Sequence, residues 1–112
     1  MKTRTKEYAK RIIKLCRSLP ESQESRRISD QLFRAGTSVG ANYRAACRGR
    51  SKSEFISKLG IVLGEADESV FWLEILGETG HTDPSRLQSL MNERNEIIAI
   101  LVASINTAKR SK

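Results

Sequence analysis

The chain has 112 residues with 20 Lys and Arg, 13 Asp and Glu, one His and two Cys, which gives a net charge of +7. Two cysteines are too few for a disulfide scaffold, and no apolar stretch approaches the roughly 18 residues of a membrane span or forms a signal peptide after the basic start. We therefore expect a cytoplasmic protein without a membrane partner, folded as a single domain over residues 1–112 around its own hydrophobic core.

Helical periodicity covers the first half of the chain. Residues 3–19 carry apolar side chains at spacings of three and four, from Tyr8 to Leu19, and Pro20 ends this helix. Residues 22–48 carry a second such stripe from Ile28 to Ala46, and Gly49 follows at the position of a C-terminal cap. We expect two helices joined by a short turn.

Start signals define two further helices. Ser51 followed three residues later by Glu54 forms a capping box, and the helix that it opens runs to about residue 79, where Gly80 closes it. Asp83 and Pro84 supply the cap and first residue of a fourth helix that continues to the basic C-terminus. Short connections favour antiparallel neighbours, so the sequence predicts an all-α fold, an antiparallel up-down-up-down four-helix bundle.

The third helix is more apolar than a bundle helix with one buried stripe requires. Exposed together, its extra side chains would form a patch that soluble monomers avoid, so we predict an oligomer with these interface residues: Ile56, Ile61, Leu63, Phe71, Trp72 and Ile75. The alternative is a larger core that leaves Trp72 half exposed. Gly36 with Gly40, and Gly60 with Gly64, predict close helix crossings.

A polar stripe accompanies the apolar one on the second helix, at spacings of three and four: Gln31, Arg34, Ser38 and Asn42. Acids of the third helix, Glu65 and Glu68, are candidate partners for Arg34. We expect an interhelical polar network that fixes the register of the two helices. The alternative function of the stripe is a ligand or RNA contact.

The positive charge is unevenly distributed. Residues 1–53 carry 14 basic and four acidic side chains, whereas residues 54–82 carry one basic and six acidic. Two clusters are candidate nucleic-acid contacts: Lys6, Lys10, Lys14 and Arg17 on one face of the first helix, and Arg44, Arg48, Arg50 and Lys52 around the second turn. The alternative is that the basic half packs against acidic helices within or between subunits.

Residues for catalysis are sparse. His81 is the only histidine and follows Gly80 in a turn, while Cys16 and Cys47 have no activating neighbour in the sequence. The acids of the third helix do not form the Glu-x-x-His pattern of di-metal bundles. We therefore expect neither an enzyme nor a cofactor or metal site.

The segment from Gln31 to Tyr43, with Arg48 and then Ser51-x-Ser53-Glu54-Phe55-Ile56-x-Lys58-Leu59, resembles the four-helix bundle protein family. Its members include proteins encoded in intervening sequences of bacterial large-subunit ribosomal RNA genes. The resemblance implies a ring-like homopentamer with a central channel. It extends to accessory proteins of diversity-generating retroelements, which implies RNA or DNA, and a reverse transcriptase or other protein, as partners.

Together these observations predict a non-catalytic, homo-oligomeric bundle, pentameric if the resemblance holds for assembly, whose basic surface binds RNA or DNA. The alternative is a protein-interaction scaffold whose charges serve subunit packing and which binds no nucleic acid.

Overall fold

Four α-helices make up the chain in a computed structural model that describes residues 1–111. They are α1 (Lys2–Ser18), α2 (Gln23–Ala46), α3 (Lys52–Glu78) and α4 (Pro84–Arg110). Each helix packs against its neighbour in sequence, and α1 also packs against α4, which closes a bundle of 51 × 21 × 19 Å. Residues 1–111 contain no strand, so the predicted all-α up-down bundle is confirmed. None of these helices is both long and apolar enough to cross a membrane.

The helix starts follow the capping signals of the sequence. The hydroxyl of Ser51 accepts a hydrogen bond from the Glu54 amide at 3.1 Å, and Asp83 accepts one from the Ser85 amide at 3.0 Å. That bond lowers the pKa of the Asp83 carboxyl. At the end of α3, Gly80 adopts a φ of 77°, and the next amide, that of His81, donates to the Leu76 carbonyl at 3.0 Å, as in a Schellman motif.

Two local predictions at the second turn are wrong. The α-helix α2 ends at Ala46, and Gly49 does not adopt a left-handed conformation. Its amide donates to the Ala46 carbonyl at 3.0 Å, so the chain continues in a tightened turn instead of a glycine cap. A Cβ at Gly49 would lie 3.3 Å from the Phe55 nitrogen, so any side chain here would crowd the backbone at the start of α3. Glu54 completes no reciprocal capping bond within residues 1–111, and its carboxylate lies 3.5 Å from Lys58 Nζ.

The core lies along the bundle axis and receives the predicted stripes of all four helices. Side chains such as Ile12, Leu32, Leu73 and Ile97 are fully buried in it. One buried polar contact crosses the core, where the Tyr8 hydroxyl lies 2.7 Å from Ser69 Oγ. Ser69 in turn donates to the Ala66 carbonyl at 2.7 Å, so both hydroxyls are satisfied inside the bundle.

The two glycine pairs have different environments. A Cβ at Gly36 would lie 2.8 Å from Ile12 Cγ1, and one at Gly40 would lie 3.3 Å from the Thr5 carbonyl oxygen, so this pair lets α1 and α2 approach closely. Gly60 and Gly64 have nothing within 4 Å of such an atom, and they face outward from α3. The second pair therefore serves no helix crossing within residues 1–111.

Fewer large apolar side chains of α3 are exposed than the sequence indicated. Leu63, Trp72 and Ile75 are partly buried against the core, because α2 and α4 flank α3 on both sides and cover them. Ile56 is also half-buried. Ile61 and Phe71 remain, each with 52% of its surface exposed. The outward apolar face of α3 therefore consists of these two side chains with Gly60 and Gly64 beside them.

Candidate nucleic-acid interface

A groove runs between the N-terminal half of α1 and the C-terminal half of α2. Gly40 lines it together with the small residues Ala9 and Ala41, and it has a volume of about 320 Å³. We call it the α1–α2 groove and define it by its lining residues: Lys2, Lys6, Ala9, Thr37, Gly40, Ala41 and Arg44. Lys6 and Arg44, which are 38 positions apart in the chain, thus line the same groove.

The groove is cationic and contains no carboxylate. Lys2, Lys6 and Arg44 are exposed, and none of them forms an ion pair with another group in residues 1–111. The Thr37 hydroxyl donates a hydrogen bond to the Phe33 carbonyl at 2.7 Å. Its proton is therefore engaged within α2, and it offers the groove only a weak acceptor oxygen. Such a site attracts an anion because three positive charges converge on it and no charge of opposite sign competes.

The cationic surface continues from the groove along the outer side of α1. Lys6, Lys10 and Lys14 follow one another at intervals of four residues, which places them about 6 Å apart along the helix axis. A shallow depression of about 470 Å³ beside them is lined by Glu7, Lys10, Arg11, Ile13, Lys14 and Arg17. Within it Lys10 Nζ lies 3.1 Å from Glu7 Oε1, so Lys10 is the one member of the predicted α1 cluster that has an acidic partner in residues 1–111.

The second predicted cluster is divided by the structure. Arg44 lines the groove, whereas Arg48 and Arg50 are exposed in the turn beyond α2. Lys52 donates a hydrogen bond to the Ser111 carbonyl oxygen at the end of α4. The turn residues therefore extend the basic surface at one end of the bundle, and they do not line the groove.

Several acidic side chains form ion pairs with arginines of the same chain. Arg34 Nη1 lies 3.1 Å from Glu65 Oε2, and Arg34 also pairs with Glu68. The hydrogen bond from Arg34 lowers the pKa of Glu68, and the Trp72 indole nitrogen donates to the same carboxylate at 3.3 Å. On α4, Glu93 lies 2.6 Å from Arg4 Nε.

The polar stripe of α2 is only partly assembled into a network. Arg34, Glu65 and Glu68 meet, but Gln31 is exposed and makes no side-chain hydrogen bond within residues 1–111. Asn42 donates to the Ser38 carbonyl at 2.9 Å, inside its own helix, so neither residue bridges to α3. Arg34 is the one member of the stripe whose side chain bonds to α3 within residues 1–111.

Two residues of this surface escaped the sequence analysis. Lys2 lines the groove, and Phe33 lies on the same row of α2 as Thr37 and Arg44 with 47% of its surface exposed. The available signal was that Phe33 falls outside the apolar stripe through Leu32. That Phe33 lies on the groove side of α2 is seen only in the structure, where α1 packs against Gly36 and Gly40.

Groups with potential chemistry lie elsewhere. Cys16 is half-buried, its Sγ donates to the Ser29 carbonyl at 3.8 Å, and burial raises the pKa of its thiol. Cys47 is exposed in the second turn. His81 Nε2 lies 3.2 Å from Glu24 Oε1, at the opposite end of α2. Residues 1–111 contain no cluster of three or more His, Cys, Asp or Glu that could hold a metal ion.

The fold and the groove together define a small, basic, all-α bundle protein. Residues 1–103 match the model of the family described as 23S rRNA-intervening sequence protein, and the chain belongs to this family, as its resemblance predicted. It is also similar to a solved structure from Bacteroides thetaiotaomicron, a protein of unknown function from the S23 ribosomal protein family. The two are 38% identical with a TM-score of 0.87, over 93% of this chain and 96% of the other. No curated protein matches the chain.

Proposed function

We propose that this protein is a non-catalytic bundle of the cytoplasm that binds RNA or DNA through the α1–α2 groove and the adjoining cations of α1. The observation that carries the proposal is the convergence of Lys2, Lys6 and Arg44 on a groove without a carboxylate. These cations have no ionic partner in residues 1–111, whereas Glu65, Glu68 and Glu93 are each paired within the chain. The phosphates of a nucleic acid provide the negative charges that these three cations do not have next to them within residues 1–111.

The physical basis of such binding is counterion release. Each phosphate that meets a Lys or Arg frees condensed cations, so affinity falls steeply as salt rises. A net charge of +7 per chain adds a long-range attraction that assembly of several copies multiplies. The family name connects its members with intervening sequences of 23S ribosomal RNA, which makes a fragment of that RNA the first probe.

We also propose that copies of the chain associate through the outer face of α3. Ile61 and Phe71 are half exposed there, and Gly60 and Gly64 leave room for a neighbouring helix. A homopentamer is the assembly that the family resemblance implies. This face also supports the second candidate function, a protein-interaction scaffold, but with apolar contacts as its basis, since Glu65 and Glu68 are already paired with Arg34 of the same chain.

The test of nucleic-acid binding is fluorescence polarisation with a labelled ribosomal RNA fragment at low salt. We expect the wild-type chain to bind, and the double variant Lys6→Glu, Arg44→Glu to lose most of its affinity. The matched control is Lys109→Glu with Arg110→Glu, which changes the net charge equally at the exposed end of α4. The proposal is wrong if the wild-type chain does not bind at low salt, or if both double variants weaken binding to the same extent.

A further inference from the structure

An exposed aromatic ring extends the α1–α2 groove. Phe33, Thr37, Gly40 and Arg44 follow each other on α2 at spacings of four, three and four, so they occupy one face of the helix. Thr37, Gly40 and Arg44 line the groove, and Phe33 stands one turn beyond it, about 6 Å from Thr37 along the helix axis. The ring therefore continues the row of groove residues toward the start of α2.

Within residues 1–111 the ring of Phe33 has no aromatic partner. Among the described residues the aromatic contact is between Phe71 and Trp72 on α3, whose ring centres lie 4.9 Å apart in an edge-to-face arrangement. Phe33 has 47% of its surface exposed. It therefore presents an apolar, flat surface to solvent one turn beyond the groove that Lys2, Lys6 and Arg44 line.

Cations beside a free aromatic ring favour one form of nucleic acid. A single strand brings phosphates and unpaired bases to the same surface, and a base stacked on an aromatic ring adds affinity that does not depend on charge. In a duplex the bases are paired with each other and stacked on their neighbours, so no base is free to stack on Phe33. Only the phosphates of a duplex would contact this surface, through its cations.

We propose that the α1–α2 groove binds single-stranded nucleic acid, with phosphates at Lys2, Lys6 and Arg44 and an unpaired base stacked on Phe33. This inference rests on the proposed function and adds to it the class of nucleic acid. It assigns two separate roles to one surface: the cations provide salt-dependent affinity for any nucleic acid, and the ring provides the preference for single strands. Loss of the ring therefore removes the preference and leaves the electrostatic attraction.

The experiment compares two labelled probes on the full-length chain, an oligouridine of about 16 nucleotides and an RNA duplex of the same length. Phe33→Leu keeps an apolar side chain but removes the flat ring, and Phe33→Tyr keeps the ring. We expect Phe33→Leu to weaken oligouridine binding about tenfold while duplex affinity stays within about twofold, and Phe33→Tyr to bind as the wild type does. Thermal unfolding checks that both variants fold, and Val102→Ala is the control for loss of exposed apolar surface on another helix, α4.

The outcomes separate the two proposals. Equal affinity of the wild-type chain for both probes, or an unchanged oligouridine affinity in Phe33→Leu, overturns the single-strand inference while the groove remains a nucleic-acid site. A tenfold loss in Val102→Ala as well would also overturn it, because the effect would then not belong to this surface. Failure of the wild-type chain to bind either probe at low salt overturns the proposed function itself.

Discussion

Gly40 of α2 lies so close to Thr5 of α1 that a Cβ at residue 40 would stand 3.3 Å from the Thr5 carbonyl oxygen. This contact brings two basic helix segments together, because Lys6 follows Thr5 and Arg44 lies one turn after Gly40. Gly40 also lines the α1–α2 groove, together with Lys6 and Arg44. A packing feature of the fold is therefore also the feature that assembles the candidate site.

Replacing a glycine by alanine should have opposite effects on stability at Gly36, where α2 packs closely against α1, and at Gly64, on the outward face of α3. Gly36→Ala places a methyl group 2.8 Å from Cγ1 of the fully buried Ile12, whose branched side chain has little freedom to move. We expect the free energy of unfolding to fall by about 1–3 kcal/mol. In the monomeric chain Gly64→Ala meets open space on a helix and should raise it by up to about 1 kcal/mol, so both variants are compared at a protein concentration at which the chain is monomeric. Urea unfolding at one protein concentration measures both, and a Gly36→Ala chain as stable as wild type would contradict this packing.

The buried hydroxyl pair predicts an asymmetry between its two members. Ser69→Ala leaves the Tyr8 hydroxyl buried without its 2.7 Å partner, which should cost about 1–3 kcal/mol of unfolding free energy. Tyr8→Phe should cost less, about 1 kcal/mol, because Ser69 still donates to the Ala66 carbonyl. Thermal or urea unfolding of both variants tests the order, and a larger loss for Tyr8→Phe would contradict it.

The ion pair between α1 and α4 predicts a dependence of stability on pH. The hydrogen bond from Arg4 lowers the pKa of Glu93 below its ordinary 4.5, so the unfolded chain binds this proton more tightly than the folded one. The pair therefore contributes its full stability above pH 4.5 and loses it as the pH falls through the lowered value. Melting temperatures between pH 3 and 7 should fall less steeply in Glu93→Gln than in wild type.

Glu74→Gln is the control for that pH experiment, because the Glu74 carboxylate is exposed and has no ion pair within residues 1–111. We expect its melting temperature to follow the wild-type profile. An identical acid profile for Glu93→Gln and wild type would show that the contact with Arg4 does not stabilise the fold.

The outer face of α3 predicts where self-association can be broken. Ile61→Glu places a charge in the proposed contact, and we expect the mass measured by light scattering to fall toward that of a 12.6 kDa chain. Val102→Glu is the control, since Val102 is exposed to a similar extent, 41%, on α4. A monomeric wild-type chain, or equal masses for wild type and Ile61→Glu, would contradict assembly through this face.

Most of the fold was predictable because its signals are local. Apolar spacing, Ser51, Asp83 and Gly80 define helix ends within a few residues, and the short turns leave an antiparallel bundle as the natural arrangement. Gly49 was misassigned because a glycine after a helix reads as a cap, whereas here a side chain would crowd the backbone of Phe55. Local sequence does not distinguish these two uses.

The candidate site was predictable only in part because it is a tertiary feature. The α1 cluster and Arg44 were visible as basic residues, but only the packing at Gly36 and Gly40 shows that Lys6 and Arg44 share a groove. Phe33 carried no signal beyond its place outside the apolar stripe. The extent of the α3 surface was overestimated for the same reason, since coverage of Trp72 by its neighbours depends on the bundle geometry.

Lysine footprinting tests the central claim most directly. The chain is acetylated with and without a saturating single-stranded oligonucleotide, and mass spectrometry measures modification at each lysine. The α1–α2 groove predicts strong protection of Lys2 and Lys6, with little change at Lys109 near the end of α4, which is exposed and lies outside the groove. Equal modification of Lys2 and Lys6 with and without bound oligonucleotide would contradict the account, because the nucleic acid would then lie on another surface.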